Sequence, residues 1–497
     1  MLEINAAPKN RLGIEKASKP KTVVVDFSSP NIAKQMYVGH LRSTIIGDCI
    51  CRVLEFLGHK VIRQNHIGDW GTQFGVLIAY LRLTHEDKLK KPDSVSIRDL
   101  DKYYKSAQAW CDRDPEFVNS ARKEVVKLHN NDEDTLWVWR QFVNASRRHY
   151  QPIYDTLGID LNENNERGES FYRDKLDDVV ESLKRDGLAI ESDGAVCVFP
   201  EGFKNKEGEP LPLIVQKSDG AYLYATTDLA AIRYRVGELK ADRVIYVTDA
   251  RQTLHFQMVF KVAEVAGWLE RDGKKIEPPV HVTFGSVLGV GGKPLKTRTG
   301  ENVKLKELLD EAVERAKAVV EEKNPDLPPK QKQKIAKAVG IGAVKYADYS
   351  NNRTSDYVFS FDKMLAMDGN TAPYMQYAYA RIKSIERKAE EKNVKIEREL
   401  RAIADLSLTE QSELDLAKHL IRYGEAIEAA VADYRPNYLT AYLYELAQKF
   451  SGFYTNCPVL DAGPDKRPTR LLLCRLTAQT IKHGLSELLG IEVVGQM

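Results

Sequence analysis

The sequence predicts an α/β protein, in which a Rossmann-like parallel-sheet domain is split by an insertion and followed by an all-α bundle. Three observations predict this fold class. A strand–helix–strand pattern occupies residues 23–65, buried-type strand runs return at 243–248 and 280–284, and the sequence is almost wholly helical from about 305 onward. Since a strand, a helix and a second strand in succession form the unit of a parallel sheet, the first part is predicted to be α/β.

The elements follow in order. Residues 1–21 are polar and lysine-rich and are predicted to be a leader or linker. The first strand leads to a helical pattern from about Val38 to Leu57, which Gly58 ends. A charged, helical stretch at about 85–190 predicts an insertion. Further patterns predict strands at 195–199, 211–216 and 222–225, helices at 305–323, 330–347 and 373–393, and a boundary near 355–370 that separates a domain at 22–355 from one at 356–497.

Composition excludes several classes of protein. The chain has 497 residues, of which 43% are apolar and 29% charged, and these values predict a soluble globular protein. No apolar run reaches the length of about eighteen residues that a membrane span needs, and the N-terminal residues do not resemble a secretory signal. Six cysteines without C-x-x-C spacing indicate reduced thiols in a cytoplasm and no protein-held metal site.

The charge balance limits the kind of nucleic-acid partner. Lysine and arginine total 73 against 71 acidic residues, so the chain does not resemble a protein that coats DNA indiscriminately. A nucleic-acid partner therefore requires basic residues gathered on one face.

The segment before the first predicted helix has the features of a phosphate site. A helix N-terminus attracts phosphate through its free N–H groups and its dipole. Gly39 lets a ligand approach the backbone, His40 can donate to phosphate or ribose, and Lys34 adds a positive charge. The alternative is that Gly39 and His40 only begin a helix. Neither a dinucleotide-binding nor a P-loop glycine pattern is present, which excludes a nicotinamide oxidoreductase.

A second candidate phosphate segment is the basic loop at about 289–303. It is bounded by glycines, carries Lys293, Lys296 and Arg298, and follows the strand predicted at 280–284. Such a loop suits a site that closes over a triphosphate, because its positive charge stabilises charge that develops on the transferring group. A solvated surface hairpin is the alternative for the loop taken alone.

Together these segments resemble the class I aminoacyl-tRNA synthetases, and within them the arginyl-tRNA synthetase family. The resemblance runs in order over nearly all of residues 22–497. It rests on SPNIAK at 29–34, GHLRSTIIGD at 39–48, GDWGTQFG at 68–75, YATTDLA at 224–230, KTR at 296–298 and NTAPYMQYA at 370–378.

The resemblance implies an enzyme that joins L-arginine to ATP, with Mg²⁺, and passes the arginyl group to tRNA(Arg). Arginine binding is then expected at Asp26, Tyr224 and Asp228 for the guanidinium, and at Ser29, Asn31, Gln252 and His40 for the α-amino and carboxylate groups. A carboxylate in the valine-rich first strand needs a partner in any case, and a structural ion pair is the alternative for Asp26. Asp228 could equally be a helix N-cap.

The nucleotide and tRNA sites follow from the same resemblance. ATP is expected at Lys34, Tyr37, Gly39, His40, Lys293 and Lys296, of which all but Lys293 are also expected to be catalytic. The basic loop lacks the second lysine of the class, and Lys34 is expected to compensate. Anticodon contacts are expected at Tyr374, Tyr377, Arg381, Tyr454 and Met497, since unpaired bases stack on tyrosine. Helix packing is the alternative for each tyrosine. The protein is expected to be a cytoplasmic monomer without a membrane partner.

Two departures from the family pattern affect these expectations. Tyr37 stands where the family has histidine, and tyrosine cannot become an imidazolium; a loss of about 1–4 kcal/mol in transition-state stabilisation is expected. Only 21 residues precede the first strand, whereas the family carries an extra N-terminal tRNA-binding domain, so a truncated or naturally short form is expected. Because family members generally need bound tRNA to activate arginine, weaker tRNA binding would affect both steps.

Two alternatives remain open at this point. The first is a paralogue that adenylates arginine and delivers it to a small molecule, peptide or protein, which Tyr37 and the short N-terminus favour. The second is a non-catalytic regulator that binds arginine or tRNA. The retained phosphate and arginine residues disfavour the regulator, and the anticodon-type aromatics disfavour the paralogue.

Overall fold

The computed structural model describes residues 1–8, 11–91, 93–293, 295–296 and 301–497. Its strands are β1 (Thr22–Asp26), β2 (Lys60–Gln64), β3 (Ala189–Ser192), β4 (Ala195–Val198), β5 (Leu213–Gln216), β6 (Arg243–Asp249), β7 (Glu270–Arg271), β8 (Lys274–Lys275), β9 (Val280–Phe284), β10 (Val287–Leu288) and β11 (Tyr357–Val358).

The helices of the first half of the chain are α1 (Leu2–Ala6), α2 (Gly39–Phe56), α3 (Thr72–Thr84), α4 (Glu86–Leu89), α5 (Ile97–Cys111), α6 (Pro115–His129), α7 (Glu133–Leu157), α8 (Glu169–Tyr172), α9 (Leu176–Arg185) and α10 (Tyr224–Arg233). The second half contains α11 (Thr253–Val265), α12 (Leu305–Lys323), α13 (Pro329–Tyr349), α14 (Phe361–Met364), α15 (Ala372–Glu391), α16 (Ile396–Arg401), α17 (Gln411–Leu420), α18 (Tyr423–Ala432), α19 (Asn437–Asn456) and α20 (Arg467–Lys482). No helix among the described residues is long and apolar enough to cross a membrane.

The main sheet is parallel and has the strand order β2-β1-β6-β9, as the βαβ pattern predicted. Val24 of β1 pairs with Ile62 of β2 and with Val244 of β6. Alternate residues of β1 face opposite layers: Val23 and Val25 pack with α2, whereas Val24 packs with α10 and α11. Both faces are covered, which explains the unbroken valine run. The strand order reverses between β1 and β6, where ligands of such sheets bind beyond the carboxyl ends.

The region predicted as one helical insertion divides into two packed groups. Helices α5, α6 and α7 form a core with α3, which precedes the predicted start of the insertion at about 85; this core includes Phe74, Leu100 and Phe142. Helices α8 and α9 pack instead against the antiparallel sheet β3-β4-β5 and against α10. Periodicity reveals that these segments are helical but not which apolar face each one meets, so the sequence could not separate the two groups.

Two local expectations require correction. The strand predicted at 222–225 is wrong, because Tyr224 begins α10 and only Tyr222 forms a single bridge, to Gln216. The run Tyr-Leu-Tyr-Ala is too short to distinguish a strand from a helix start by its pattern. Residues 1–21 were predicted to be a polar leader or linker, but they contain the short helix α1. They also contact α2, because the Arg11 guanidinium lies 4.1 Å from the centre of the Phe56 ring.

The helical bundle lies on the α2 side of the sheet. Its core includes Leu443, Leu446 and Phe450 of α19 and Leu472 of α20, and it is continuous with the apolar cluster that contains β1 and α2. Buried polar contacts from α13 strengthen the junction: the Asp348 carboxylate lies 3.0 Å from Arg42 Nε of α2, and Tyr349 donates to the Ile45 carbonyl over 2.8 Å. Helix α2, whose N-terminus faces the candidate site, is therefore held in place by its contacts with α13.

Candidate functional site

The turn after β1 has an unusual backbone conformation that side chains hold in place. Ser28, Ser29 and Ala33 have φ angles of 73°, 48° and 62°, which are costly for residues other than glycine. The Ser28 N–H donates to Ser43 Oγ, and the Ser29 N–H donates to Asn65 Oδ1, both over 2.9 Å. This turn leads to Lys34 and the first turn of α2, so the segment predicted to bind the head group of arginine is held rigidly at the switch point of the sheet.

The helix mouth is defined here as residues 37–40, which include the start of α2 at Gly39. The N-cap residue Val38 provides no side-chain cap, and the Tyr37 N–H donates to His40 Nδ1 over 3.2 Å. The Tyr37 ring covers the glycine that was expected to leave this backbone open. A Cβ atom added to Gly39 would lie 2.3 Å from Tyr37 Cε2, so a larger residue would require the Tyr37 ring to move. The Tyr37 and His40 rings meet edge to face, 4.2 Å between centres. Burial lowers the pKa of His40 to about 4, so its imidazole is neutral at physiological pH.

The basic loop joins the helix mouth through its downstream flank. Tyr37 forms an antiparallel bridge with Lys304, and the Val38 N–H donates to the Val303 carbonyl over 3.0 Å. Lys293 and Lys296 are exposed on the described part of the loop. Thr297, Arg298, Thr299 and Gly300, which complete the predicted Lys-Thr-Arg loop, lie outside the described residues. The two segments predicted to bind ATP are thus neighbours at one end of the sheet.

Asp26, which was predicted to bind the guanidinium of arginine, is paired with a buried arginine of this chain. Its Oδ2 atom lies 2.6 Å from Arg235 Nη2, and this Arg235 side chain is fully buried. Arg235 also donates to Gln64 Oε1 over 2.6 Å, and Ser29 Oγ donates to Asp26 Oδ1 over 3.3 Å. Asp26 therefore forms the structural ion pair that was its alternative interpretation, because a carboxylate inside a buried strand requires a charged partner.

A different carboxylate, Glu169 at the start of α8, lies near Tyr224 and Asp228. It accepts a hydrogen bond from the Trp70 N–H over 3.2 Å. Burial raises the pKa of Glu169 to about 8, and the carboxylates of Asp69 and Asp228 contribute to the shift. Burial and the same Glu169 charge also raise the pKa of the Tyr224 hydroxyl. Asp228 and Tyr224 therefore both lie within electrostatic range of the Glu169 carboxylate.

The position of Glu169 is fixed by the residues before and after it. Asp69 accepts from the Ser170 N–H over 2.9 Å and from Ser170 Oγ over 2.6 Å. A Cβ atom on Gly168 would lie 2.5 Å from Asp69 Oδ1, so this close approach requires glycine. Sequence reasoning missed Glu169 because it lies in the stretch interpreted as an insertion, where only the Gly-Glu pair at a helix start marks it.

Asp228 is not an N-cap, since it lies within α10, and it has a partner that sequence reasoning also missed. His255 Nε2 lies 2.6 Å from Asp228 Oδ2. Tyr224, one turn earlier, is 68% exposed and open to a ligand. Gln252 is exposed on the turn after β6, and Asn31 is exposed beside its bridge to Gly68. The residues predicted to hold the α-amino and carboxylate groups therefore lie at the carboxyl ends of neighbouring strands.

Comparisons with known proteins agree with this arrangement. The family model for the catalytic domain of class I tRNA synthetases (R) matches residues 4–361, and the DALR anticodon-binding domain matches residues 375–497. An arginine–tRNA ligase from Synechococcus sp. is 54% identical over 98% of this chain and 82% of its own length. The chain belongs to the arginyl-tRNA synthetase family.

Further members of the arginyl-tRNA synthetase family show the same extent of similarity. An arginine–tRNA ligase from Nostoc punctiforme is 53% identical over 100% of this chain and 83% of its own length. The solved arginyl-tRNA synthetase of Plasmodium falciparum superposes with a TM-score of 0.82 at 35% identity, covering 98% of this chain and 79% of that one. The Thermus thermophilus enzyme superposes with a TM-score of 0.78 at 25% identity, covering 100% and 85%.

In the region that matches the anticodon-binding domain of the arginyl-tRNA synthetase family, three of the predicted residues form one exposed cluster. The Arg381 guanidinium lies 4.7 Å from the centre of the Tyr377 ring and 5.4 Å from that of Tyr454. Each of these tyrosines is 37% exposed. Tyr374 lies edge to face with Tyr444, which was not predicted, 5.8 Å between centres. Met497 packs elsewhere, against the apolar cluster of α12 and α13.

Proposed function

We propose that this protein activates L-arginine with ATP and transfers the arginyl group to tRNA(Arg). The observation that carries the proposal is the pair of carboxylates, Glu169 and Asp228, beside the Tyr224 hydroxyl and at the same end of the sheet as the helix mouth. A guanidinium is a cation that can engage two carboxylates through separate pairs of N–H groups, in a planar fork geometry that a lysine ammonium lacks. The family membership supports the same substrate.

We assign the arginine pocket to Glu169, Tyr224 and Asp228, with Ser29, Asn31 and Gln252 holding the α-amino and carboxylate groups. Asp26 and Arg235 support the pocket from beneath, and His255 orients Asp228. In this arrangement the arginine carboxylate is directed toward the helix mouth. Positioning of this kind removes most of the entropic cost of bringing two reactants together.

We assign the nucleotide phosphates to the helix mouth, Lys34, Lys293 and Lys296. The positive end of the α2 dipole and three exposed lysines fit a triphosphate. Mg²⁺ would be bound with the triphosphate oxygens, since the described residues contain no cluster of three metal-ligating side chains. A carboxylate oxygen of arginine attacks the α-phosphorus, and pyrophosphate leaves with the bond electrons. The lysines stabilise the charge on that leaving group, and no proton transfer is required.

We assign the second step to the same catalytic site, while the helical bundle binds the anticodon end of the tRNA. The tRNA terminal hydroxyl attacks the adenylate carbonyl, AMP leaves, and the hydroxyl proton leaves with it. Unpaired anticodon bases would stack on Tyr377 and Tyr454, which Arg381 holds together. We further propose that residues 22–355 form the catalytic domain, residues 356–497 the anticodon-binding domain, and residues 1–21 a segment that packs against α2.

Arginine-dependent exchange of pyrophosphate into ATP, measured with and without tRNA, tests this assignment. Exchange is expected with arginine and not with lysine, because a compact ammonium lacks the planar fork that pairs with carboxylates through two parallel hydrogen bonds. Exchange that lysine supports equally would contradict the assignment of the pocket. Exchange without any transfer to tRNA would favour a paralogue with another acceptor.

Arginine binding is expected to release a proton at neutral pH. The pKa of Glu169 is about 8 in the ligand-free protein, and a bound guanidinium favours the ionised carboxylate. Arginine affinity should therefore rise by about tenfold per pH unit up to about pH 8 and then level off. Titration calorimetry in two buffers with different ionisation enthalpies measures this release. An equal heat in both buffers would contradict it, and Glu169→Gln should abolish the buffer dependence.

Replacing Arg381 by alanine is expected to weaken tRNA binding by about tenfold, because the two tyrosines lose the cation that holds them as one stacking surface. A filter-binding titration with tRNA(Arg) measures the change. Arg398→Ala, at an exposed position on α16, is the matched control and should bind tRNA as the unaltered protein does. Equal affinities of the two variants would contradict the assignment of this surface.

A further inference from the structure

One face of α5, in the helical insertion, contacts both basic segments of the proposed nucleotide site. A capping box fixes the N-terminus of α5: Ser96 Oγ accepts from the Asp99 N–H, and the Asp99 carboxylate accepts from the Ser96 N–H. Leu100 and Tyr103 are buried in the core of the insertion. Asp101, Tyr104 and Lys105 follow with the spacing of one helical face, which we call the α5 contact face.

The first contact of this face is with Lys34. Lys34 Nζ lies 4.7 Å from the centre of the Tyr104 ring, within the range of a cation–π interaction. The insertion also fixes the backbone beside Lys34, because the Ala33 N–H donates to Ser146 Oγ of α7 over 2.8 Å. Ala33 has a left-handed φ of 62°, which makes that hydrogen bond important for the path of the chain. Both the backbone and the ammonium group of Lys34 are therefore positioned by the insertion.

The second contact is with the segment that follows the basic loop. Asp101 Oδ2 lies 3.3 Å from Lys304 Nζ, and both side chains are largely buried. Lys105 Nζ lies 2.9 Å from Glu301 Oε1, in a more exposed pair. Lys304 in turn forms the bridge to Tyr37 at the helix mouth. The largely buried Asp101–Lys304 pair is expected to contribute more to stability than the exposed Lys105–Glu301 pair, whose charges are screened by water.

We propose that the α5 contact face aligns the nucleotide site, with Tyr104 as a positioning residue that holds the Lys34 ammonium toward the phosphates of ATP. Asp101 fixes the opposite side by holding Lys304 beside the helix mouth. Tyr104 does not itself touch the reacting atoms; its ring limits where the flexible lysine side chain points. The inference rests on the proposed function, and it assigns to the insertion a part in nucleotide activation that its sequence does not reveal.

A double-mutant cycle between Tyr104 and Lys34 tests the proposal by pyrophosphate exchange with arginine and tRNA present. Tyr104→Leu removes the ring, and we expect kcat/KM for ATP to fall about five- to tenfold. Tyr104→Phe keeps the ring and should restore activity to within about twofold. In a Lys34→Met background, Tyr104→Leu should have no further effect, because the group that it positions is gone.

The proposal would be overturned if Tyr104→Leu kept the full kcat/KM for ATP. It would also be overturned if Tyr104→Leu lowered kcat/KM equally in the Lys34→Met background. A loss of kcat/KM in Tyr104→Phe as large as in Tyr104→Leu would be the third contrary result. Ser106→Ala, at a half-buried position of α5 that does not have the spacing of the contact face, is the matched control, and thermal unfolding of each variant excludes a general loss of structure. If the unaltered protein shows no arginine-dependent exchange, the proposed function fails instead. ATP affinities of the same variants, measured by calorimetry, then decide the role of Tyr104.

Discussion

Glu169→Gln is expected to raise the KM for arginine by about two orders of magnitude. The glutamine keeps the size of the side chain and its contact with the Trp70 N–H but removes a charge that the guanidinium would meet in a partly enclosed site. Loss of one partner from a buried, hydrogen-bonded charge pair costs about 2–5 kcal/mol. Pyrophosphate exchange at varied arginine concentration measures the effect, while the KM for ATP should remain unchanged.

Two further variants distinguish a residue that binds arginine from a residue that only stabilises the structure around the arginine pocket. Glu207→Gln changes an exposed carboxylate in the loop after β4 and should leave both KM values unaltered. Asp26→Asn should instead lower thermal stability, because it leaves the buried Arg235 guanidinium without its counter-charge. An unaltered KM for arginine in Glu169→Gln, together with a large increase in a fully stable Asp26→Asn, would reverse our assignment in favour of Asp26.

Tyr37→His is expected to raise kcat/KM for ATP by at least about fivefold. The tyrosine ring lies against Gly39, where the ribose or phosphates of ATP would approach the backbone, and a smaller imidazole uncovers this position. Histidine also supplies a donor that can become cationic, and a donor of this kind is worth about 1–4 kcal/mol in the transition state. Steady-state exchange at varied ATP concentration measures the gain.

Tyr37→Phe distinguishes the two causes of that gain. Phenylalanine keeps the ring over Gly39 and removes only the hydroxyl, so its activity should equal that of the unaltered protein if the ring is the obstacle. A phenylalanine variant as active as the histidine variant would show that the hydroxyl, and not the ring, limits the reaction. An unchanged kcat/KM in Tyr37→His would contradict the account of the helix mouth.

The parts of the fold that the sequence predicted are those in which local pattern and burial agree. The valine run of β1, the apolar face of α2 and the buried runs of β6 and β9 each have one stable arrangement, which is a parallel sheet with helices on both faces. The strand expected at 222–225 failed because four residues with strand-like composition also fit a helix start. Only the packing of α10 against β5 and α11 decides between these possibilities.

The candidate site was only partly predictable for a similar reason. The helix mouth and the basic loop have local signals, glycine at a helix start and clustered lysines, and the structure places them together. Glu169 and His255 have no such signal, since their partners are distant in the chain and meet them only through tertiary packing. Asp26 had a conspicuous signal, a charge in a buried strand, but that signal equally fits the ion pair with Arg235 that the structure contains.

The central claim is that arginine bound between Glu169 and Asp228 is attached to tRNA(Arg). Attachment of labelled arginine to unfractionated tRNA, in the presence of ATP, tests this claim most directly. The account predicts acid-precipitable label that requires ATP and tRNA and that falls sharply in Glu169→Gln at low arginine concentration. Arginine-dependent pyrophosphate exchange with no label on tRNA would contradict the claim and identify another acceptor.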